Sequence, residues 1–85
     1  MASVDIYTKA TCPYCIRAKR LLDQKKVDYR EISVDFDSAS RTEMIQRAGG
    51  RTTVPQIFVY GRHVGGCDDL SELEMVGELA ALLGA

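Results

Sequence analysis

The residues with the clearest chemical potential are the two cysteines of Cys12-Pro13-Tyr14-Cys15. The segment Val4 to Thr8 alternates apolar and polar residues and predicts a strand, while apolar residues after Cys15 recur at helical spacing. The motif is therefore expected on a strand-to-helix turn, with Pro13 at the first helical position, where proline is favoured. Two thiols so close together at a helix start predict redox chemistry.

The two cysteines are expected to play different roles. Cys12 should occupy the helix N-cap, where unpaired N–H groups and the helix dipole favour a thiolate over a thiol. Lys9, Arg17 and Lys19 lie close enough in sequence to add positive potential. Cys15, one turn deeper, should react less and be able to close a disulfide with Cys12. The prediction is that Cys12 attacks and Cys15 resolves.

A structural zinc site and a structural disulfide are the two alternatives to redox chemistry for such a cysteine pair. A structural zinc site needs about four ligands, and the remaining candidates here are Cys67 and the single histidine, His63. We expect no metal, and His63 is assigned no role. A structural disulfide is the second alternative, but closing so short a loop removes little entropy from the unfolded chain.

Length and composition narrow the class of protein. Eighty-five residues predict one domain, spanning 1–85, with a single shared core. The net charge of −1, from interspersed acidic and basic residues, argues against nucleic-acid and membrane-surface partners. Asp5 stands where a signal peptide would have its apolar core, and no apolar run approaches the ~20 residues of a membrane span. Three cysteines, an odd number, fit a reducing, cytoplasmic location.

The first half of the chain predicts a helix, a strand and a second helix after the first strand. The helix runs from Pro13 to about Lys25, and alternation from Tyr29 to Val34 predicts the strand. Ser40 to Glu43 has the spacing of a capping box before apolar residues at helical spacing, and Gly49-Gly50 closes this helix. Met44 in this helix is expected in the core.

The second half predicts a hairpin and a final helix. Pro55 to Tyr60 and His63 to Val64 read as antiparallel strands joined by Gly61-Arg62. Apolar residues from Leu70 to Leu83 then recur at helical spacing, with a break near Gly77, and Met75 among them is expected in the core. The order β-α-β-α-β-β-α, with a right-handed crossover, predicts an α/β thioredoxin fold: a four-stranded mixed sheet flanked by helices.

Three segments carry a resemblance to a known family. Cys12-Pro13-Tyr14-Cys15, Thr53-Val54-Pro55 and Gly65-Gly66-Cys67-Asp68-Asp69 together resemble a dithiol glutaredoxin of the small bacterial type, over nearly the whole chain. The chain has no tryptophan and so lacks the Trp-Cys-Gly-Pro-Cys of thioredoxin. The resemblance implies a glutathione-dependent thiol-disulfide oxidoreductase that reduces protein–glutathione mixed disulfides and protein disulfides.

The resemblance also implies where glutathione binds. Pro55 is expected to be cis and to face the cysteines, with the backbone of Val54, next to Thr53, pairing with an extended peptide. Tyr14 is expected to pack over the bound tripeptide. The simpler interpretation, that Pro55 only starts an edge strand, stays open.

Charged groups of the chain match those of glutathione at both ends. Lys9 is expected to pair with the glycyl carboxylate, with Arg51 or Arg47 as a second cation. These groups are the expected binding site at one end.

At the other end, Gly66, Cys67 and Asp68 lead into the last helix, whose free N–H groups can hold the γ-glutamyl carboxylate. Asp68 or Asp69 is expected to pair with the ammonium, although both also suit a helix start as capping and first-turn acids. Cys67 itself is expected to be packed and unreactive, with oxidation to an adduct as the alternative.

The resemblance leaves two other functions open. One is a donor reduced by thioredoxin reductase, and the other is a carrier of a [2Fe–2S] cluster held by Cys12 and glutathione thiolates. Pro13 counts against the carrier, because cluster-binding members of the family more often have a small or flexible residue there. Ribonucleotide reductase is a candidate partner by resemblance only, and the protein is expected to be a monomer.

Overall fold

Four strands and four helices make up the computed structural model, which describes residues 3–83. In chain order they are β1 (Val4–Thr8), α1 (Pro13–Gln24), β2 (Tyr29–Ser33), α2 (Ser38–Arg47), β3 (Gln56–Val59), β4 (Arg62–Gly65), α3 (Cys67–Met75) and α4 (Leu79–Leu82). Among these residues, no helix is long and apolar enough to cross a membrane.

The strands form one mixed sheet in the order β2-β1-β3-β4. Strand β1 pairs in parallel with β2, through the helical crossover α1, and antiparallel with β3. Strands β3 and β4 form the closing hairpin at one edge of the sheet. The central position of β1 explains why four of its five residues are buried. The cysteines that follow β1 therefore lie at the carboxyl end of an interior strand.

The sheet has a separate apolar cluster on each face. Alternate residues of β1 and β3, such as Ile6 and Ile57, pack with α1, α3 and α4 on one face. On the other face, Tyr7 and Phe58 pack with Met44 of α2. This arrangement confirms the predicted sheet flanked by helices.

Several predicted boundaries were wrong by one or two residues, among them the start of α2 and the hairpin connection. Helix α2 begins at Ser38 rather than at a capping box from Ser40, because the Asp37 carboxylate accepts the N–H groups of Ala39 and Ser40 at 3.1 and 3.2 Å. The hairpin connection is Tyr60-Gly61 rather than Gly61-Arg62. Both of its residues have positive φ, 52° and 80°, which matches a type I′ turn.

The C-terminal helix is interrupted as predicted: α3 ends at Met75, and α4 begins at Leu79, after Gly77. Met44 is fully buried, as expected, but the placement of Met75 in the core was wrong. Met75 is 86% exposed because it lies on the last turn of α3, beside the break in the C-terminal helix.

Candidate functional site

The two cysteines lie where β1 gives way to α1. Cys12 is the N-cap of α1, with extended backbone angles, and Pro13 occupies the first helical position. The Cys12 sulfur accepts a hydrogen bond from the Cys15 backbone N–H at 3.3 Å. Cys12 is partly exposed, Cys15 is 1% exposed, and both thiols are free. The predicted turn, cap and order of accessibility are therefore present.

The burial of Cys15 controls its acidity. Removal from water, reinforced by its contact with the Cys12 thiol, raises the pKa of Cys15 to about 12. The Lys9 backbone N–H, which also interacts with the Cys15 sulfur, has a smaller and opposite effect. Cys15 is thus a protonated thiol near neutral pH, as suits a resolving cysteine that acts second.

Two of the three basic residues expected to surround Cys12, Lys19 and Arg17, contact other side chains. Lys19 pairs with Glu31 at 2.9 Å, and the same carboxylate oxygen accepts the Thr8 hydroxyl at 2.7 Å. Hydrogen bonds from Thr8 and Lys19 lower the pKa of Glu31. The Arg17 guanidinium lies 5.9 Å from the centre of the Tyr14 ring. Much of the expected positive potential is therefore already paired.

The segment before β3 faces the cysteines. The Val54–Pro55 peptide bond is cis, as the resemblance implied. The Cys12 Sγ lies 3.8 Å from the Val54 carbonyl oxygen, to which the thiol donates a hydrogen bond. Within residues 3–83, the Val54 N–H has no hydrogen-bond partner. Unpaired backbone of this kind beside a reactive sulfur can pair with an extended peptide.

The start of α3 forms the opposite wall. Gly66 is its N-cap, and the Gly66 N–H donates to the Asp69 carboxylate at 2.8 Å. The first backbone hydrogen bond of the helix is donated by Leu70, so among residues 3–83 the N–H groups of Cys67, Asp68 and Asp69 have no partner and can bind an anion. Arg51 approaches the same Asp69 oxygen at 3.3 Å.

The two acids expected at this helix start differ in what they contact. Asp69 caps the helix, because its carboxylate accepts the Gly66 N–H. This hydrogen bond is the main cause that lowers the pKa of Asp69, and Arg51 adds to the effect. Asp68 is exposed, and no hydrogen bond or ion pair involves its side chain within the described residues. Asp68 is therefore the acid that remains available to a ligand.

A single cleft brings together eight of the nine predicted binding residues. Its lining consists of Tyr14, Arg51, Thr53, Val54, Pro55, Gly66, Cys67 and Asp68, together with Asp69.

Two predicted cations lie elsewhere. Lys9 is exposed in the turn before Cys12 and does not line the cleft. Arg47, named as an alternative to Arg51, is on the α2 face, where it donates to Asp5 at 3.1 Å and to the Tyr7 hydroxyl at 2.8 Å. The structure thus brings Arg51, not Arg47, to the cleft.

Cys67 belongs both to the cleft wall and to the apolar core. Its side chain is 7% exposed and packs in the cluster that includes Ala18 and Leu70. This burial matches the expectation of a packed cysteine. Within residues 3–83, no group of three or more His, Cys, Asp or Glu side chains is arranged to hold a metal ion.

Two polar residues beside the cleft were not predicted from the sequence. Gln56, fully buried at the start of β3, donates to the Thr53 carbonyl at 3.0 Å, and its own carbonyl contacts His63 at 2.7 Å. His63 was assigned no role. The available signal was an amide at the start of the otherwise apolar strand Gln56–Val59.

The strand order and the site define a class of protein. The fold has a parallel β1-α1-β2 unit and a closing hairpin, and the site has a dithiol at the start of α1 with a cis-proline facing it. This combination is typical of a thioredoxin-fold thiol-disulfide oxidoreductase.

Comparison with known sequences assigns the family. The family model described as glutaredoxin matches residues 4–64. Glutaredoxin 3 of Escherichia coli is 58% identical over 83 residues, covering 98% of this chain and 99% of the relative. A glutaredoxin of Pseudomonas aeruginosa is 56% identical over 85 residues, with full coverage of both. The chain belongs to the glutaredoxin family and is a small bacterial-type member.

Solved structures agree with this assignment. The solution structure of a glutaredoxin from Brucella melitensis matches with a TM-score of 0.84 and 51% identity, covering 98% of this chain and 89% of that one. A buckwheat glutaredoxin–glutathione complex matches with a TM-score of 0.86 and 34% identity, covering 95% of this chain and 76% of that one. The fold is the thioredoxin fold, and the family role is thiol-disulfide oxidoreduction.

Proposed function

We propose that this protein uses glutathione to reduce protein–glutathione mixed disulfides and protein disulfides, with Cys12 as nucleophile and Cys15 as resolving thiol. The observation that carries the proposal is the cleft beside Cys12. Its walls offer the unpaired Val54 N–H on one side and the free N–H groups of α3 on the other. A γ-glutamyl tripeptide carries groups complementary to both walls.

The tripeptide is proposed to bind in an extended form. Its cysteinyl residue pairs with the backbone of Val54, between Thr53 and Pro55, which brings its sulfur to Cys12. The aromatic ring of Tyr14, which is 54% exposed, packs against it.

Each charged end of the tripeptide has its own partners. The γ-glutamyl carboxylate binds the first N–H groups of α3, near Gly66 and Cys67, and the ammonium pairs with Asp68. The glycyl carboxylate pairs with Arg51 in the cleft and with Lys9, which is exposed in the turn before Cys12.

The reduction of a mixed disulfide needs only Cys12. The Cys12 thiolate attacks the glutathione sulfur, a bond forms between them, and the substrate protein leaves as a thiolate that takes a proton from water. A second glutathione thiolate then attacks the glutathione sulfur held on Cys12. Oxidised glutathione leaves, and the Cys12 thiolate is restored. Neither step requires the Cys15 thiol, which is buried and, in the reduced protein, protonated near neutral pH because burial raises its pKa.

The reduction of a protein disulfide needs both thiols. Cys12 attacks one substrate sulfur and releases the other as a thiolate. Cys15 then loses its proton to water and attacks the Cys12 sulfur, which releases the second substrate thiolate and leaves a Cys12–Cys15 disulfide. Two molecules of glutathione reduce this disulfide and leave as oxidised glutathione.

We further propose that residues 1–85 form one such domain and act as a monomer in the cytoplasm, where free thiols persist. The partners are then glutathione and disulfide-containing or glutathionylated proteins, with ribonucleotide reductase as a candidate client of this family. No resident metal takes part in the proposed steps.

The test compares two sources of electrons for the reaction. Purified protein is given a glutathionylated peptide and NADPH, with either glutathione plus glutathione reductase or thioredoxin reductase alone. The proposal expects turnover only with the first supply. Turnover with thioredoxin reductase in the absence of glutathione would instead identify a thioredoxin-type donor.

A further inference from the structure

A buried amide links the cleft to the hairpin. Gln56 is fully buried, and its Nε2 donates to two acceptors of Thr53, the carbonyl at 3.0 Å and the hydroxyl at 3.2 Å. Its Oε1 lies 2.7 Å from His63 Nε2 on β4. Both ends of one amide are therefore used, and they connect two neighbouring segments of the chain.

The bonds of Gln56 fix its orientation and the tautomer of His63. Because the Thr53 carbonyl can only accept, the amide nitrogen must face Thr53 and the amide oxygen must face His63. His63 Nε2 then carries the hydrogen. The His63 ring also stacks on Phe58, with ring centres 5.0 Å apart, which holds the imidazole in place.

The Thr53 carbonyl sets the direction of the Val54 N–H. Carbonyl and N–H groups of a trans peptide point in opposite directions, and among residues 3–83 the cis bond is the one between Val54 and Pro55. The Thr53 oxygen points inward to the buried Gln56 amide. The Val54 N–H on the same peptide unit must therefore point outward, towards the cleft that Thr53 and Val54 line.

We propose that Gln56 is a positioning residue, which, anchored by His63, holds the Thr53–Val54 peptide so that the Val54 N–H donates to a main-chain carbonyl of the bound thiol peptide. This inference rests on the proposed binding of glutathione along Val54. Gln56 touches neither the substrate nor the reacting sulfurs, so its effect passes through the orientation of one peptide group.

The kinetic test replaces Gln56 and separates binding from chemistry. Gln56→Met keeps the length of the side chain and removes its hydrogen bonds. With a glutathionylated peptide and saturating glutathione, we expect KM to rise about tenfold, the effect of one lost hydrogen bond, and kcat to stay within about twofold. The alkylation rate of Cys12 should not change. Unchanged KM in a folded Gln56→Met protein would overturn the proposal.

Tyr7→Phe is the matched control for general loosening. It removes a hydrogen bond of similar burial, between the Tyr7 hydroxyl and Arg47, on the same face of the sheet but outside the cleft. We expect its KM to stay at the wild-type value. A rise equal to that of Gln56→Met would attribute the effect to stability alone and overturn the proposal.

An NMR measurement separates failure of this inference from failure of the proposed function. In a Cys15→Ser background, glutathionylation of Cys12 should move the Val54 amide proton downfield as its hydrogen bond forms. With Gln56→Met added, this shift should be lost. No shift in the Cys15→Ser protein would contradict the proposed contact with Val54. An equal shift with and without Gln56 would leave that contact intact and refute the positioning role.

A second variant covers the case in which Gln56→Met does not fold. His63→Phe keeps an aromatic ring against Phe58 and leaves the Gln56 bonds to Thr53, but it removes the anchor on the amide oxygen. We expect a smaller rise in KM than for Gln56→Met, with kcat again preserved. An unchanged KM for His63→Phe would overturn the proposal, which has His63 anchoring the Gln56 amide.

Discussion

The Cys12 sulfur accepts the Cys15 backbone N–H at 3.3 Å at the start of α1. The two thiols nevertheless lie in unequal surroundings. The Cys12 sulfur sits at the helix start, partly exposed and 3.8 Å from the Val54 oxygen. The Cys15 side chain is buried, with 1% of its surface exposed. This inequality supports the proposed roles of Cys12 as the attacking cysteine and Cys15 as the resolving one.

Alkylation should therefore discriminate between the cysteines. With iodoacetamide near neutral pH, we expect Cys12 to be modified first and Cys15 to remain unmodified, because burial raises the pKa of Cys15 to about 12 and excludes the reagent. Mass spectrometry of the digested protein measures the modified fraction of each. Unfolding in urea should abolish the difference. Equal labelling of both in the native protein would contradict the assignment.

The two acids at the start of α3 should separate binding from stability. Asp69→Asn should lower the free energy of unfolding by about 1 kcal/mol, because the Asp69 carboxylate accepts the Gly66 N–H and pairs with Arg51. Asp68→Asn should raise the KM for a glutathionylated peptide by about two- to fivefold, as expected for one exposed ion pair. Urea denaturation and steady-state kinetics measure the two effects.

Each of these variants is the control of the other. Asp68→Asn should leave the free energy of unfolding within about 0.5 kcal/mol of wild type, since Asp68 makes no capping bond within the described residues. If Asp68→Asn left KM unchanged, Asp68 would not be the partner of the ammonium.

His63 should contribute to the pH dependence of stability. Burial, with the charge of Arg51 adding to it, lowers the pKa of His63 below its usual value of about 6.5. The unfolded chain then binds more protons than the folded one as the pH falls below about 6.5, so the free energy of unfolding should fall with it until the folded His63 also protonates. His63→Phe should remove this part of the slope. Urea denaturation from about pH 7.5 to 5 tests it, with Tyr7→Phe expected to retain the slope.

Gly65 is expected to tolerate no side chain. Its φ is +120°, and an added Cβ would lie 2.9 Å from Arg51 Nη1 and still closer to the Asp69 carboxylate. Gly50→Ala is a control for backbone strain alone, because Gly50 has a φ of +101° and open space around it. Gly65→Ala should lose about 1–3 kcal/mol more than the control, the usual cost of overpacking. Equal losses in urea denaturation would show that the Asp69–Arg51 contact gives way freely.

Sequence patterns were sufficient for the elements whose cause is local. The strand Val4–Thr8, the helix after Pro13 and the break at Gly77 follow from alternation, capping and chain flexibility, and all are present. The boundary at Ser38 was missed because Asp37 competes with Ser40 as a helix cap, and only the side-chain geometry decides between them.

Features that depend on distant contacts were not accessible in the same way. Arg47 and Arg51 are equally plausible cations in sequence, but α2 carries Arg47 to Asp5 and Tyr7 on the far side of the sheet. Lys19 is basic and close to Cys15, yet Glu31 of β2 pairs with it. The link from Gln56 to His63 joins residues of two strands and becomes visible only when the hairpin is formed.

The central claim, that Cys12 alone attacks the glutathione mixed disulfide, is tested most directly by comparing wild type, Cys12→Ser and Cys15→Ser. Each is given a glutathionylated peptide, glutathione, glutathione reductase and NADPH, and NADPH oxidation is followed. We expect Cys15→Ser to keep this activity and Cys12→Ser to lose it, while both variants lose the reduction of a protein disulfide. Equal activity of the two variants towards the glutathionylated peptide would show that Cys12 is not the sole nucleophile.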